Sequence, residues 1–263
     1  MHSAARFISG VNRQLVVLAP AGQRVPPLSG VAVATGGTDH PLLAALQRLR
    51  ARICVQEGVV LPSELTSDGR HVQAADATSF HIVCSDNSGA VHGCVRYQLH
   101  SPDVRFRDLA VAHSPLGKSK RWRPALRSAV TRELAIARRH RLAYVEVGAW
   151  VVSEQLRCSG EAVRMALAVY ALGRAMGGAL GIATATTCHN SAPILHRLGG
   201  QPLDLPTYYD PRYRAIMRVL TFDSARPNEK YLNAIEAFQT QPIRRPYPQP
   251  IETAVPAAMA APA

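Results

Sequence analysis

Val147-Gly148-Ala149-Trp150-Val151-Val152-Ser153-Glu154-Gln155-Leu156-Arg157-Cys158-Ser159-Gly160-Glu161-Ala162 joins an almost continuously apolar run to a long apolar segment of helical character. On its N-terminal side, Leu142 to Val152 carries Val145, Val147, Trp150, Val151 and Val152, and reads as a strand buried on both faces and central to its sheet. On its C-terminal side, Glu161 to Met176 reads as a helix. Arg157, Gly160 and Ala162 set the pattern Arg-x-x-Gly-x-Ala in the turn between them. The N–H groups of a first helical turn have no internal partners and the helix dipole adds positive charge, so such a turn can cradle an anion. Gly160 and Ala162 leave the backbone approachable. The simpler alternative is a plain strand-to-helix turn. Neither G-x-G-x-x-G nor Gly-Lys-Ser/Thr occurs, so the dinucleotide and P-loop fingerprints are absent.

Outward from this stretch, Pro41 to Glu57 places Leu42, Leu43, Leu46, Leu49 and Ile53 at helical spacing. Thr78 to Ser85 and Ala90 to His100 alternate apolar and polar residues across Asp86-Asn87-Ser88-Gly89, which predicts an antiparallel hairpin. Pro124 to His140 reads as a helix, Leu180 to Thr187 as a strand, Ser191 to Leu198 as a short helix stopped by Gly199-Gly200, and Tyr213 to Phe222 as a last strand. The predicted class is α/β (α+β), with a mixed, mostly antiparallel central sheet flanked by helices. Residues 39–223 form the predicted domain. Residues 1–38, with Arg6, Arg13 and Arg24, no acid and several Gly and Pro, read as a flexible basic arm. Residues 224–263 read as a short helix over Asn228 to Gln241 and a Pro/Ala-rich tail.

The 263 residues are 47% hydrophobic and 18% charged, which excludes a disordered chain, and the 18 Gly and 19 Pro show no collagen period. Five scattered cysteines form no C-x-x-C pair, so neither a zinc ribbon nor a disulfide framework is indicated and a reducing cytoplasm fits. No metal is expected. No apolar run reaches the roughly 18 to 20 residues of a membrane span.

The strand, then Val152 five residues before Arg157, then Arg-x-x-Gly-x-Ala and a helix, resembles the acyl-CoA loop of the GNAT N-acyltransferase superfamily. The resemblance runs from Leu42 to about Phe222, in family order. It implies that acyl-CoA or acyl-phosphopantetheine is the co-substrate. The backbone around Trp150, Val151 and Val152 would receive the pantetheine arm and thioester carbonyl. The amides around Arg157, Cys158, Ser159, Gly160, Glu161 and Ala162 would receive the phosphate. The implied reaction moves a fatty acyl group from a thioester to the amine of an amino acid or small metabolite. A short-chain acetyltransferase and a non-catalytic polyanion-binding protein on a degenerate fold are the alternatives.

Two positions depart from the family. Its general-acid Tyr is replaced by Leu195 when counted back from Gly199, with His196 adjacent as a substitute acid or as a surface histidine. Asn190 either holds the pantetheine amide or caps the following helix. Glu146 is the acid-base candidate because it lies within the buried strand, and acyl-homoserine-lactone and N-acyl amino acid synthases similarly bear a Glu there. A buried, unpaired carboxylate there would have a raised pKa, whereas an arginine partner or a solvated face would remove that effect. In those enzymes Ser-Arg follows on this strand; here Gly148-Ala149 stand instead. Cys158 and Cys188 are either nucleophiles or have packing or loop roles, and the sequence places no His/Asp partner to favour the first.

The net charge is +12, and Arg96 to Arg141 hold twelve Lys and Arg against three acids, a local excess of +9. Part of this is a solvated face. Charge so focused steers an acidic partner, and an acyl carrier protein matches. Nucleic acid is the rival polyanion, but only Phe106 and Trp122 are interleaved with these residues, few for base stacking.

Overall fold

The computed structural model describes residues 13–157, 159–188 and 190–240. One open sheet contains β1 (Arg13–Pro20), β2 (Val31–Gly36), β3 (Phe80–Asp86), β4 (Val91–His100), β5 (Ala143–Val152), β6 (Ala179–Thr186), β7 (Gln201–Pro202), β8 (Tyr208–Asp210) and β9 (Ala215–Asp223). Their order is β2-β1-β3-β4-β5-β6-β9-β7, with β8 also paired to β9. Only β1–β2 and β5–β6 run parallel; the other pairs are antiparallel. This is the mixed, mostly antiparallel sheet that the pattern of runs predicts.

Helices cover both faces. On one, α4 (Glu161–Ala175) buries Met165, Ala168 and Leu172 completely against Val17, Ile82, Val95 and Val145 of the sheet. On the other, α1 (Pro41–Gln56) lays Leu43, Leu46, Leu49 and Ile53 over Leu18, Val83 and Cys94. Beside it, α3 (Arg123–His140) lays Leu126, Val130, Leu134 and Ala137 over Tyr144, Ile182 and Val219. These i, i+3, i+4 stripes are the helical periodicity legible in the chain. The short helices α2 (Pro115–Lys118), α5 (Ser191–Arg197) and α6 (Leu232–Glu236) close the edges.

Three expectations change. Residues 13–36 are not an arm: β1 pairs with both β2 and β3, and Leu15 to Ala19 are all buried. Gly and Pro argued against a helix there, but Pro20 ends β1 and Gly22 takes a turn conformation at φ 76°, both compatible with strands. Residues 1–12 lie outside the described residues.

At the other end, only Leu232–Glu236 is α-helical, after a 3₁₀ turn at Glu229–Tyr231. This segment is part of the domain up to residue 240. Ile235 is fully buried, and Ser29 donates its N–H to Phe238 O at 2.7 Å. The Pro/Ala-rich stretch from 241 lies outside the described residues.

The third change concerns β5, which is central but buried on both faces only at Tyr144 and Val145; from Glu146 to Val152 it is half-buried. Its apolar character is spent on a cleft.

The strand reading of the N-terminal segment predicts that Val17→Asp costs about 3 kcal/mol or more, since an unpaired charge would enter the core. Denaturant unfolding measures it; a change under about 0.5 kcal/mol, the range for exposed sites, would return the segment to an arm.

Candidate active site

The cleft arises where β5 leaves β6. Their parallel ladder runs from Ala143↔Ala179 to Val147↔Ala183 and stops, while β5 stays paired with β4 as far as Gly93↔Val152. Against β4 the register shifts between Cys94 and Arg96, so Ala149 and Trp150 together oppose Val95. This is a β-bulge, which bends the strand and takes a residue out of the ladder. Ala149 adopts φ 48°, a left-handed conformation costly for a residue with a Cβ.

The two sides of the gap differ in polarity because strand side chains alternate. Facing α4, a narrow slot of about 30 Å³ is walled by Val95, Val147 and Trp150, by Ala166 and Tyr170 of α4, and by Ala183, Leu195 and Phe222. The Trp150 indole N–H is buried with no hydrogen-bond partner among the described residues. On the opposite side stand Arg96, paired in register with Gly148, and Glu146. A Cβ added at Gly148 would meet nothing within 4 Å, so the loss of a side chain there leaves open space beside Arg96.

In the turn between β5 and α4, Gly160 is the N-cap of α4 with φ 28° and makes no side-chain cap. Ser159 donates Oγ–H to Leu156 O at 2.8 Å, and Ala162 is half-buried in the first turn. Arg157 turns outward to Glu57 at the end of α1, Nη2 to Oε1 2.9 Å, and so pins the turn. Glu161 is buried and points towards β3, taking hydrogen bonds from Arg164 Nη1 at 3.2 Å and Cys84 Sγ at 3.6 Å. Cys158 lies outside the described residues. Trp150 and Val152 face the α4 side of the sheet, and Val151 the α1 side.

Glu146 is not unpaired: its carboxylate accepts from the N–H groups of Ala110 at 2.9 Å and Val111 at 3.1 Å, and lies 3.1 Å from His100 Nε2. It anchors the turn at 106–113, far away in sequence, which no local pattern indicates. His196 is exposed, with Nδ1 2.9 Å from Gly200 O, while Leu195 lines the slot. One residue along a helix turns a side chain about 100°, so the two cannot share a face. Asn190 is the N-cap of α5 in the left-handed region at φ 58°, with no side-chain cap bond, and its side chain is exposed. Burial pushes the Cys84 and Cys94 thiols up to about 12, unsuited to nucleophilic chemistry. Among the described residues no cluster of three His, Cys, Asp or Glu is arranged to hold a metal ion.

A buried ionic cluster beside Arg96 was not singled out by sequence reading. Asp76 is buried and pairs with the buried Arg50; Arg96 Nη1 lies 3.4 Å from Asp76 Oδ1 and bonds Gln73 Oε1. Gln47 Nε2 donates to Asp76 at 3.1 Å and His81 Nε2 contacts Asp76 O at 2.9 Å. The six residues come from α1, the 73–78 turn, β3 and β4, and lie up to 49 positions apart between Gln47 and Arg96. The signal available was an arginine on the apolar face of the first helix, Arg50 between Leu49 and Ile53.

No protein-family model matches the chain, and no curated protein matches its sequence. Among solved structures, a CoA-dependent acyl-homoserine lactone synthase, BjaI, with SAM and isopentyl-CoA, is 16% identical, covers 86% of this chain and 88% of its own, and superposes with a TM-score of 0.55. TofI, in a ternary complex with an inhibitor and MTA, is 15% identical over 85% of this chain and 96% of its own, TM-score 0.51. The chain has a GNAT-like fold, shared with these two structures.

Two predictions follow from the geometry. Ala149→Gly relieves the left-handed conformation and raises stability by about 1 kcal/mol, the opposite of the usual cost of glycine in a strand; a loss of stability in urea unfolding would refute the strain. Burial pushes the Asp76 carboxyl up, but the Arg50 guanidinium outweighs it and holds it below its ordinary value. The pair's stability is therefore present above an unfolded-state pKa of about 3.9 and is lost as pH falls through the lower folded value. Asp76→Asn strands Arg50 at a cost of about 3–5 kcal/mol and flattens this acid limb, read by unfolding between pH 2 and 7.

Proposed function

We propose that this chain is an N-acyltransferase that moves a fatty acyl group from a thioester of CoA or acyl carrier protein to the amine of a carboxylate-bearing small molecule such as an amino acid. The observation that carries the reading is the parting of β5 from β6 after Val147, with an apolar slot on one side and Arg96 beside the open space at Gly148 on the other. An acyl chain belongs on the apolar side. Pantetheine would run along Trp150 to Val152, with its phosphate at the turn of α4 between Arg157 and Ala162. The orphan indole N–H of Trp150 offers a hydrogen bond to a carbonyl lodged in the gap. The acceptor's carboxylate has a cationic partner in Arg96, held in place by Gln73 and Asp76.

In the reaction, the free amine attacks the thioester carbon, a C–N bond forms and the C–S bond breaks. The ammonium proton passes to water, and the leaving thiolate takes a proton from water. Backbone N–H groups freed by the bulge stabilise the developing oxyanion. Glu146 acts as a positioning residue that fixes the 106–113 turn beside the gap. The chain's chief contribution is orientation of two reactants. The basic face between Arg96 and Arg141 raises the encounter rate of an acidic carrier protein. A second reading, a short-chain acetyl donor, is favoured by the narrowness of the slot.

Thiol release with a series of donors from acetyl-CoA to hexadecanoyl-CoA, and with the matching carrier-protein thioesters, tests both readings against amines with and without a carboxylate. The fatty acyl reading expects long-chain turnover confined to carboxylate-bearing amines. It also expects Ala183→Phe, which fills the slot, to depress long-chain turnover more than acetyl turnover, on the order of tenfold. Turnover of acetyl donors alone selects the second reading. No thiol release with any pair sinks both.

A further inference from the structure

Away from the cleft, the outer edge of α3 and the turn at 105–107 enclose a groove of about 420 Å³ lined by Arg105, Arg107, Arg123, Arg127 and Arg138, with Thr131 among them. A second hollow continues it past Arg123, Arg127 and Thr131. Phe106 and Leu134 form an apolar floor. Elsewhere arginines such as Arg50, Arg96, Arg157 and Arg212 meet a carboxylate. In the groove only Arg107 does, at 3.7 Å from its neighbour Asp108. Among the described residues Arg105, Arg123, Arg127 and Arg138 make no ion pair; Arg138 is instead steadied by the carbonyls of Pro102, at 2.8 Å, and Val104.

Like charges gathered on one hollow repel one another, and Arg123 and Arg127 stand in the first two turns of α3, where the helix dipole disfavours cations. The first turn holds no acid. An anion between the guanidiniums relieves that repulsion. The helix start, the forked donors and the size of the hollow suit several phosphates on one small molecule. We propose that this groove is a binding site for a small molecule bearing two or three linked phosphates, such as a nucleoside di- or triphosphate, its phosphates between Arg123, Arg127 and Arg105. This site is separate from the proposed acyl-transfer cleft and does not depend on that activity. A polynucleotide suits it less, because the buried Phe106 gives no exposed stacking platform.

Calorimetric titration of the full chain with ADP, ATP, inorganic pyrophosphate and sulfate at constant ionic strength tests the proposal without any acyl donor. One saturable site for ATP, with pyrophosphate weaker and sulfate weaker still, is expected. Arg123→Ala/Arg127→Ala should weaken ATP at least tenfold, while Arg139→Ala, on an exposed residue outside the groove, should leave it within twofold. Because both groove arginines are exposed, unfolding of the ligand-free double variant should match the wild type, which separates lost binding from lost folding. The proposal is overturned by absence of saturable nucleotide binding, by equal weakening in Arg139→Ala, or by binding of only an oligonucleotide or an acyl carrier protein.

Discussion

Strand β5 is held by β4 along nearly its whole length but by β6 only as far as Val147, and this unequal pairing governs the molecule. Past that point the bulge at Ala149 and Trp150 bends β5 away from its parallel neighbour. A sheet that stayed closed would satisfy more backbone groups and bury more apolar surface. The chain forgoes both and accepts a left-handed alanine as well. Strain of this kind persists only where surrounding structure over-determines it, and here α4 on one side and α1 on the other grip the bent strand.

The rest follows from where that gap falls. Because strand residues alternate between faces, the same opening presents Val147, Trp150 and Ala183 to α4 and Arg96 and Gly148 to the other layer. In the proposed reading one side takes the alkyl chain and the other the charged group, with the reacting carbonyl between them. The Arg50–Asp76 pair sits immediately behind Arg96. Removing two charges from water is expensive, so this pair serves best as a rigid mount that leaves Arg96 in one orientation. Glu146 does the same for the 106–113 turn.

The remaining arginines are organised differently. Those near the cleft have carboxylate partners, and those along α3 mostly lack them. Arg50 and Arg96 are thus neutralised within the fold, whereas the field of the groove extends into solvent.

Periodicity was enough to place α1, α3, α4 and the β3–β4 hairpin, since repeats of 3.6 and 2 residues are local properties of the chain, and the Arg157–Gly160–Ala162 pattern marked the start of α4. The sequence by itself also identified β5 as central. It did not reveal that β1 is a core strand, because five consecutive apolar residues beside Gly and Pro look alike in an arm and in a sheet until a partner strand is present. Nor did it reveal the partners of Glu146 or the cluster of Arg50, Asp76 and Arg96. A carboxylate's role depends on which donors reach it, and here they come from residues 36 and 35 positions away in one case and 26 and 20 in the other. Tertiary structure alone decided these, because electrostatic and hydrogen-bond energies depend on distance in space, and only packing of the sheet between its helices sets that distance.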